Sequence, residues 1–532
     1  MCALNAEMDI KIPADFNITS YFLDRNITEG RGKNTAIIQD GQKYTYEDVC
    51  SLTNRVGNKF LQLGLEQENR VLLALNDSVE FVASWFAAIK VGGVACCVYT
   101  HLQEKDYEYY LNYTRAKIIV VDQSTLAKVR AVAKNAPYLK YILVAGDMDI
   151  KDDRLEVPFS EVMKCSSTLE AAPTHKDDIA LWKFTTGTTG KPKAAVHCQH
   201  DTLYSFLTYG LKVLGYQEDD VILSVPKLFF GYARDAAIVY PFGVGAATIL
   251  FPERSTPELM FELIKQYQPT ILIQVPTMMS AMLKNPYAKN TSLKCLRFCT
   301  SSGEKLPDEI YNEWKKTFGV EVLEGVGSAE AYHVYLSNTM GDVVPGSAGK
   351  IVPGYGAKIV STDGEELPAG EIGRLMVKGD SAALLYWQDH EKSKATFQGD
   401  WINTGDLFKK DTDGTFWYCG RADQLLKISG VMVSPYEVEN CLLKHPDVKD
   451  CAVVGADNGE GLLTLCAYLV VKNKNLANTS LADELKSFVK SKLAAYKYPR
   501  NITFLDELPK NAQGKVDRKT LTNILPNGRG AV

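Results

Sequence analysis

The ten residues from Thr185 to Ala194 read TTGTTGKPKA and combine four threonines, two glycines and two lysines. Glycines let backbone N–H groups approach an anion closely, threonine hydroxyls donate further hydrogen bonds, and Lys191 and Lys193 offset negative charge. A loop of this composition suits a polyphosphate. It directly follows the apolar run IALWKF at 179–184, which is typical of a strand. We therefore favour a phosphate-binding loop at a strand end over an ordinary surface turn.

The stretch differs from the P-loop of many nucleotide-binding proteins. That motif reads G-x-x-x-x-G-K-[ST], but Thr185 stands where its first glycine belongs. Pro192 follows Gly190 and Lys191 where the motif requires serine or threonine. The loop must therefore hold phosphate in a different geometry.

The chain has 532 residues, which is more than one hydrophobic core usually serves. We expect a large multi-lobed body and at least one smaller domain. The hydrophobic content of 46%, the charged content of 23% and the net charge of −5 are those of an ordinary soluble protein. They provide no overall attraction to nucleic acid or to an anionic membrane, so any anion site must be local.

Cysteines and apolar runs bear on the cellular compartment. The twelve cysteines lack the paired C-x-x-C spacing of metal sites, and we interpret them as reduced thiols. Residues 1–11 have neither the basic start nor the apolar core of a signal peptide, and no run of about 18 apolar residues could span a bilayer. We expect a cytoplasmic protein with no membrane span.

Strand and helix patterns alternate in the first third of the chain. An Asp40-Gly41 turn joins two extended runs and predicts a hairpin. The pattern after it predicts strands over 70–75, 93–99 and 118–121 and a helix over 78–90. This βαβ organisation predicts a parallel sheet covered by helices, whose ligands gather beyond the carboxyl ends of the strands. The loop at Thr185 fits that position.

The texture of the chain changes after Trp401, which indicates a domain boundary. We expect an α/β protein with a large N-terminal domain of helix-covered sheets over 1–421. A smaller, mobile α+β domain would follow over 422–532.

Three helix starts are predicted from capping residues. Asp201 would cap a helix that runs to about Lys212. The sequence Ser-Pro-Tyr-Glu at 434–437 predicts a capping box with proline at the first helical position. Ser480 would cap a further helix.

Five more stretches are rich in small and polar residues: TSSGE at 300–304, GVGSAE at 325–330, NTGD at 403–406, GRADQLLKISG at 420–430 and PKNAQGK at 509–515. An aromatic run, KLFFGYA at 227–233, fits either a core segment or a ligand pocket. The chain has no G-x-S-x-G elbow, no H-E-x-x-H motif and no EF-hand loop, so hydrolysis by a protein nucleophile lacks support.

Taken together, TTGTTGKPKA, GVGSAE, NTGD, GRADQLLKISG and PKNAQGK in this order resemble the adenylate-forming superfamily of acyl-CoA synthetases, adenylation domains and luciferases. The similarity spans nearly the whole chain. Within that superfamily, KLFFGYA, TSSGE and AEAYHVYLSN are similar to the benzoate–CoA ligase branch.

The resemblance implies two half-reactions. A carboxylate attacks the α-phosphorus of ATP to give an acyl-adenylate and pyrophosphate, and a CoA thiol then displaces AMP. The branch implies a compact ring acid, such as benzoate or a cyclohexane or cyclohexene carboxylate. Because both steps are near-reversible in the superfamily, the direction stays open. Such chemistry needs charge neutralisation and alignment of the acid rather than an enzyme nucleophile.

The resemblance also implies a nucleotide site. The β- and γ-phosphates would be held by Thr185, Thr186, Gly187, Thr188, Thr189 and Lys193. Glu330 would ligate Mg²⁺, and Asp406 and Arg421 would bind the ribose. The remaining nucleotide contacts would come from Ser302, Gly303, Glu304 and Ser328.

By the same resemblance, an acyl slot would be formed by Gly231, Tyr232, Ser302, Gly325 and His333. Two alternatives stay open within it. His333 could be a buried structural histidine instead of a ligand contact. Gly231 interrupts a bulky run either to relieve backbone strain or to leave space for the substrate.

The resemblance implies that the small domain swings about Asp423 between the half-reactions. Lys515 would bridge the substrate carboxylate and the α-phosphate in the first step and then withdraw. The face carrying Lys427 to Gly430 would then meet the site, with Gly430 leaving room for the pantetheine arm of CoA.

Two positions depart from the usual superfamily pattern. Ala329 stands where a threonine usually precedes the metal-binding glutamate, so one hydroxyl donor is lost, which Ser328 or a water could replace. Ala194 replaces a glycine, which is tolerable if its φ is negative.

Two other functions share these motifs: an adenylation enzyme that loads a carrier protein, and a non-catalytic adenylate-binding protein. The expected partners are a small carboxylic acid and CoA, with no nucleic acid. The sequence leaves open whether the chain acts alone or as a homodimer.

Overall fold

A computed structural model describes residues 10–152, 154–186, 192–424, 426–428, 431–457, 463–509 and 516–523. They divide into two compact units. The large unit holds the described residues up to Lys358 together with Met376–Thr404 and Asp413–Phe416, and the small unit holds Ile359–Leu375, Gly405–Thr412 and the described residues from Trp417 onward. The boundary between residues 421 and 422 stays a prediction.

The first sheet of the large unit has eight strands. Their order from edge to edge is Leu385–Tyr386, Pro192–Cys198, Ile179–Thr186, Val94–Cys97, Arg70–Ala74, Ile118–Val121, Tyr141–Val144 and Glu156–Pro158. The six strands from Ile179–Thr186 onward in this order pair in parallel. The connecting helices are Val79–Lys90, Glu104–Thr114 and Leu126–Val132. The predicted parallel sheet with βαβ connections is thereby confirmed.

The second sheet of the large unit has nine strands. Their order is Lys350–Ile351, Val334–Ser337, Val322–Gly327, Phe298–Ser301, Ile271–Gln274, Val221–Ser224, Ala247–Leu250, Thr35–Gln39 and Gln42–Thr45. The strands from Val322–Gly327 to Thr35–Gln39 pair in parallel. The helices Pro257–Tyr267, Pro276–Lys284 and Asp308–Phe318 supply Met260, Met279 and Trp314 to a large apolar cluster against this sheet.

The predicted hairpin forms one edge of the second sheet. Thr35–Gln39 and Gln42–Thr45 pair antiparallel, and both turn residues have positive φ, 51° at Asp40 and 79° at Gly41. These angles belong to the tight turn that an Asp-Gly pair favours. The helix Tyr46–Gln62 then starts at Thr45 with a complete capping box.

The remaining elements of the large unit are short helices, helices of irregular geometry and one short strand. They are Ser20–Asp24, Arg25–Thr28, Ala133–Asn135, Phe159–Lys164, Gln199–Ser205, Phe206–Leu214, Gly231–Arg234, Asp235–Val239, Tyr240–Val244, Pro286–Lys289, His390–Thr396 and Phe397–Gln398. The chain passes between the units within strands Gly356–Val360, Gly373–Lys378, Trp401–Lys410 and Phe416–Arg421, and once more between Thr412 and Asp413.

The small unit is an α+β structure. Strands Val448–Asp457, Leu463–Val471 and Asn501–Phe504 form one sheet, and Leu426–Ile428 pairs with Val431–Val433 in a separate hairpin. Its remaining helical segments are Ala422–Gln424, Pro435–Leu443, Lys474–Leu476, Thr479–Lys492, Ala495–Lys497 and Arg518–Asn523. The predicted fold class, a large α/β part with a smaller α+β part, is therefore confirmed.

Two of the three predicted helix starts are wrong. Asp201 lies in the first turn of Gln199–Ser205, where its carboxylate accepts from the N–H of Cys198 at 3.1 Å. Asn478, rather than Ser480, caps Thr479–Lys492 by accepting from the N–H of Leu481 at 3.0 Å. In each case another residue satisfies the first turn two or three positions earlier.

The helix after Ser434 begins as predicted but without the capping box. The hydroxyl of Ser434 donates instead to the carbonyl of Cys419 at 2.6 Å. The carboxylate of Glu437 accepts from Lys497 at 2.6 Å. Both side chains therefore bind partners that are distant in the sequence instead of capping the helix.

In the described part of the chain, no helix has the length and apolar character needed to cross a membrane.

Candidate active site

The described ends of the phosphate-loop stretch belong to two antiparallel strands, the phosphate hairpin, which are the second and third strands from one edge of the first sheet. Thr185 pairs with Lys193, and Thr186 with Pro192, across the antiparallel strands Ile179–Thr186 and Pro192–Cys198. Gly187, Thr188 and Thr189 lie outside the described residues. The structure thus fixes both ends of the loop at the end of a strand.

Ala194 lies in the second strand of this hairpin, fully buried. Its carbonyl accepts from the N–H of Trp387 at 2.9 Å, and its own N–H donates to the hydroxyl of Tyr113 at 3.3 Å. It is not among the residues with positive φ. Alanine at this position therefore costs no backbone strain.

Glu330 lies in a turn between strands Val322–Gly327 and Val334–Ser337. Its Oε1 accepts from the hydroxyl of Tyr386 at 2.5 Å. Lys193 lies near the same tyrosine, with Nζ 5.6 Å from the ring centroid and 3.3 Å from Oδ2 of Asp389. Tyr386 thus brings together a cation of the phosphate hairpin and the predicted metal ligand.

The backbone of this turn is held at every carbonyl from Ala329 to His333. The donors are Nε2 of His197 to Ala329 at 2.7 Å, the N–H of Ala383 to Glu330 at 2.8 Å, the hydroxyl of Ser381 to Ala331 at 2.9 Å, Nζ of Lys183 to Tyr332 at 2.6 Å, and the N–H of Ser328 to His333 at 3.2 Å. All of these donors except Ser328 come from distant parts of the large unit. The turn is therefore fixed by distant donors together with hydrogen bonds of its own, such as that from the N–H of His333 to the carbonyl of Ala331 at 2.9 Å.

The carboxylate of Glu330 suits a Mg²⁺ ion that takes most of its other ligands from the phosphates of a bound nucleotide and from water. No group of three or more His, Cys, Asp or Glu side chains suited to a metal occurs among the described residues. Mg²⁺ commonly binds proteins through one or two carboxylates and completes its shell with phosphate oxygens and waters. One hard carboxylate beside a phosphate hairpin meets that requirement.

Ala329 packs beside an apolar cluster of Ala195, Ala383 and Tyr386. The neighbouring Ser328 accepts from the N–H of Ala331 at 3.2 Å through its hydroxyl oxygen. The side chain of Ser328 therefore helps to close the turn, and its compensation for the missing threonine stays a prediction.

Three tyrosines surround His333. The centroids of the Tyr209, Tyr232 and Tyr240 rings lie 5.5, 5.6 and 5.2 Å from the centroid of the imidazole. The Nε2 of His333 contacts the carbonyl of Tyr232 at 3.2 Å, and the hydroxyl of Tyr232 contacts that of Thr300 at 2.6 Å. The structure thus brings two of the predicted slot residues, Tyr232 and His333, into direct contact.

His333 is buried and neutral. Burial lowers its pKa to about 4. Nδ1 is buried without a hydrogen-bond partner in the described structure. Because Nε2 faces a carbonyl and must donate, the unpaired Nδ1 is a hydrogen-bond acceptor. A ligand contact of His333 stays a prediction.

Gly325 and Ser302 lie near the carboxyl ends of neighbouring parallel strands. A Cβ on Gly325 would lie 2.9 Å from Cγ1 of Val334 and 3.2 Å from the hydroxyl of Tyr209, so close packing explains the glycine. Ser302 is buried and follows Phe298–Ser301 directly.

Gly231 has a third explanation that the sequence did not offer. Its φ is not in the positive region, so backbone strain does not explain it. A Cβ there would lie 3.2 to 3.4 Å from the last three side-chain atoms of Lys183. The glycine therefore accommodates a buried lysine, which sequence reasoning missed although Lys183 is a charged residue within an apolar strand.

Lys183 pairs with Asp235. Their side chains are only 4% and 0% exposed, and Nζ of Lys183 donates to the Asp235 carboxylate. Burial lowers the pKa of Lys183 to about 8, although the negative charge of Asp235 opposes the shift.

Gly303 and Glu304 belong to the predicted nucleotide loop. Gly303 has φ of 88°, a conformation that favours glycine. Beneath the loop, the carboxylate of Glu324 accepts from the N–H of Leu306 at 2.9 Å. Burial raises the pKa of Glu324 to about 8. Sequence reasoning missed this support, and its one signal was a glutamate within an apolar strand.

Three predicted residues meet within the small unit. Nη1 of Arg421 donates to Oδ1 of Asp406 at 3.1 Å, and its Nε lies 3.4 Å from Oδ1 of Asp423. Gly430 and Lys515 lie outside the described residues. The arrangement links the predicted ribose residues to the predicted hinge.

Comparison with known proteins agrees with this geometry. Residues 23–387 match the model of the AMP-binding enzyme family, and residues 437–515 match that of the AMP-binding enzyme C-terminal domain. The benzoate–CoA ligase of Thauera aromatica is 40% identical over 516 residues, which cover 97% of each chain.

Two solved structures are also similar. The anthranilate CoA ligase AuaEII in complex with anthranoyl-AMP matches with a TM-score of 0.89 and 36% identity, over 96% of this chain and 98% of that one. A benzoate CoA ligase from Burkholderia xenovorans matches with a TM-score of 0.85 and 36% identity, over 95% of this chain and 100% of that one. With matches of this extent, the chain belongs to the AMP-binding enzyme family.

Proposed function

We propose that this protein is an AMP-forming ligase that joins a compact ring carboxylic acid, such as benzoate, to coenzyme A through an acyl-adenylate. The observation that carries the proposal is the cluster of three tyrosine rings around buried His333, three residues along the chain from Glu330. Relatives whose names specify benzoate or anthranilate as the acid match nearly the whole chain.

The slot suits a flat or ring-shaped acid. Tyr209, Tyr232 and Tyr240 offer ring faces and edges, which bind aromatic groups well. A neutral imidazole carries no charge that would penalise an apolar ring, while its unpaired Nδ1 can still accept a hydrogen bond from a donor group of the ligand. An alicyclic acid of similar outline would fill the same space.

In the first half-reaction, Lys193 and the backbone of the loop after Thr185 would neutralise the phosphates of ATP. Glu330, oriented by the hydroxyl of Tyr386, would hold Mg²⁺, which offsets phosphate charge when bound. The slot would align the carboxylate for attack on the α-phosphorus. Catalysis would arise from position and charge, because no covalent enzyme intermediate is required.

In the second half-reaction, the CoA thiol would attack the acyl carbonyl and release AMP. Asp406 and Arg421 would bind the ribose, and Asp423 would be the hinge. The ion pair of Arg421 with Asp406 and its contact with Asp423 support a link between ribose and hinge. Lys515 would act in the first step only, and Gly430 would admit the pantetheine arm. Both steps could also run from acyl-CoA toward ATP.

One assay tests the proposal. The purified protein is incubated with ATP, Mg²⁺, CoA and one acid at a time: benzoate, 2-aminobenzoate, cyclohexanecarboxylate, acetate or hexanoate. We expect AMP and the thioester in equal amounts with the ring acids and little of either with the chain acids. Pyrophosphate without AMP or thioester would favour carrier loading, because the acyl-adenylate then forms but is not transferred. If no acid gave any of these products, the ligase proposal would be contradicted.

The cellular setting is a further part of the proposal. The described cysteines are all free thiols, which supports a reducing compartment such as the cytoplasm. A homodimer stays a prediction that light scattering on the purified protein would test.

A further inference from the structure

We propose that Lys183 and Asp235 are positioning residues: their buried ion pair clamps Tyr332 and thereby fixes Glu330 and His333 relative to one another. This inference rests on the proposed function, which gives Glu330 and His333 their roles. It adds two residues that make no described contact with the Glu330 carboxylate, one of which, Lys183, lies in the first strand of the phosphate hairpin.

The ion pair needs an explanation beyond stability. Lys183 lies within the apolar strand Ile179–Thr186, and its carboxylate partner Asp235 is fully buried. Removing two charges from water is costly, and a buried pair often contributes no more to stability than apolar side chains of the same volume. A specific task for the pair is therefore the better account of its presence.

The pair grips Tyr332 at several points. Nζ of Lys183 donates to the Tyr332 carbonyl at 2.6 Å and lies 3.4 Å from the centroid of its ring. The hydroxyl of Tyr332 donates to Oδ1 of Asp235 at 3.2 Å and accepts from the hydroxyl of Thr202 at 2.8 Å. Backbone, ring and hydroxyl of one residue are thus all held by one charged cluster.

Tyr332 has a backbone that needs such a clamp. Its φ is 72°, which is unfavourable for a bulky side chain. The other described non-glycine residues with positive φ are all exposed: Asp40, Glu68, Arg115, Gln268 and Gln388. Tyr332 is 2% exposed. Strain of this kind persists only where the surroundings over-determine it, and it concentrates at functional sites.

The clamped residue stands between two functional side chains. Glu330 precedes Tyr332 by two positions, and His333 follows it directly. If the backbone of Tyr332 relaxed to negative φ, the direction of the chain would change between them. The acid in the slot and the metal-bound phosphates would then no longer be aligned, although each subsite could still bind its ligand weakly.

The main test is Lys183→Met, which keeps the length of the side chain and removes its donor and charge. We expect the KM for benzoate and the half-saturating Mg²⁺ concentration to rise together, each about tenfold, which is the usual effect of losing one hydrogen bond to a charged group. We also expect a lower kcat, because the two subsites must be aligned for reaction.

Lys90→Met is the matched control. Lys90 is also buried, and its Nζ donates to Oδ1 of Asp24 and Oδ1 of Asn54, both at 2.7 Å. None of its described contacts involves the turn at Glu330. We expect this variant to lose thermal stability but to keep the wild-type KM values. Equal kinetic changes in both lysine variants would overturn the inference.

The double variant Lys183→Met/Asp235→Asn separates positioning from stability. The single variant leaves a buried carboxylate without its partner, which lowers the melting temperature by itself. Removing both charges should restore part of the melting temperature while both KM values stay raised; recovery is partial because buried Arg234, whose Nε lies 3.8 Å from Oδ1 of Asp235, also loses its counter-charge. If the KM values returned to wild type together with stability, the ion pair would have no positioning role.

A binding measurement gives a readout that does not depend on turnover. In wild type, benzoate and ATP with Mg²⁺ should each raise the melting temperature, and both shifts should shrink in the double variant but not in Lys90→Met. If wild type formed no thioester, the proposed function would fail. If wild type were active and the double variant bound both ligands normally, only the present inference would fail.

Discussion

Two of the lysine ion pairs in the described part of the large unit have a buried lysine and look alike, but they differ in what they hold. Lys90, at the end of helix Val79–Lys90, joins Asp24 and Asn54 and so ties three helical segments together. Lys183 joins Asp235 and the carbonyl of a residue with positive φ. The first pair connects relaxed elements, whereas the second holds a strained turn.

The two pairs also differ in how far their carboxylates are exposed to solvent. The side chain of Asp24 is 27% exposed, but that of Asp235 is 0% exposed. A partly wet pair can adjust by rehydration when one partner is lost, and a dry pair cannot. The comparison teaches that a buried lysine alone does not indicate function; a strained acceptor in a dry site does.

The largest expected effect comes from removing the carboxylate of each pair. Asp235→Asn should lower the free energy of unfolding by about 3 to 5 kcal/mol, because it leaves Lys183 in a dry site without its counter-charge. Asp24→Asn should cost about 1 kcal/mol, because Asn54 still accepts from Lys90 and water reaches the site. Urea unfolding at pH 7 measures both values, and equal costs would remove the distinction between the pairs.

Lowering the pH should test whether the site around Lys183 excludes water, because His333 lies in the same buried surroundings. Its folded pKa of about 4 lies below the unfolded value of about 6.5. Between these values the unfolded chain binds a proton that the folded chain excludes, so stability falls as pH falls. Full passage through this window should cost about 3 kcal/mol.

The measurement is the free energy of unfolding between pH 5 and 7 for wild type, His333→Phe and His175→Asn. We expect a shallower loss with acid in His333→Phe than in wild type. The exposed His175 provides the matched control. A wild-type slope in His333→Phe would show that the site around Lys183 is wetter than its burial indicates.

Sequence periodicity predicted the local part of the fold. The strands Arg70–Ala74, Val94–Cys97 and Ile118–Val121 and the Asp40-Gly41 hairpin are encoded by neighbouring residues, and they formed as expected. Helix starts were less predictable. Several residues near each start can cap a first turn, and long-range partners decide which one does.

The candidate site was likewise predictable from the sequence only in part. Motifs located Lys193, Glu330 and His333, whose types suit phosphate, metal and an aromatic slot. They gave no sign of the residues that orient them, because Lys183 meets Asp235 across 52 positions and Tyr332 across 149. Tyr386, which orients Glu330, is 56 positions away from it. A single sequence does not record such distant pairs.

The smallest expected effect concerns the space beside Lys183. A Cβ on Gly231 would lie 3.2 to 3.4 Å from the end of the lysine side chain, so Gly231→Ala should push that side chain against its partners. We expect a loss of about 1 kcal/mol in the free energy of unfolding and a similar fractional loss of activity on every acid. If Gly231 shaped the slot instead, the loss of activity would follow the width of the acid.

A double-mutant cycle distinguishes the two interpretations of Gly231, space for Lys183 and space for the acid. In a Lys183→Ala background the clash disappears, so adding Gly231→Ala should then cost almost nothing, a coupling of about 1 kcal/mol. Gly210 is the matched control, because a Cβ there would lie 3.1 Å from the rings of Phe206 and Tyr240 rather than near Lys183. Gly210→Ala should therefore cost the same in both backgrounds. If Gly231→Ala also lowered the free energy of unfolding equally in both backgrounds, the glycine would not be required to make room for Lys183. A role for Gly231 in shaping the acyl slot would then be favoured.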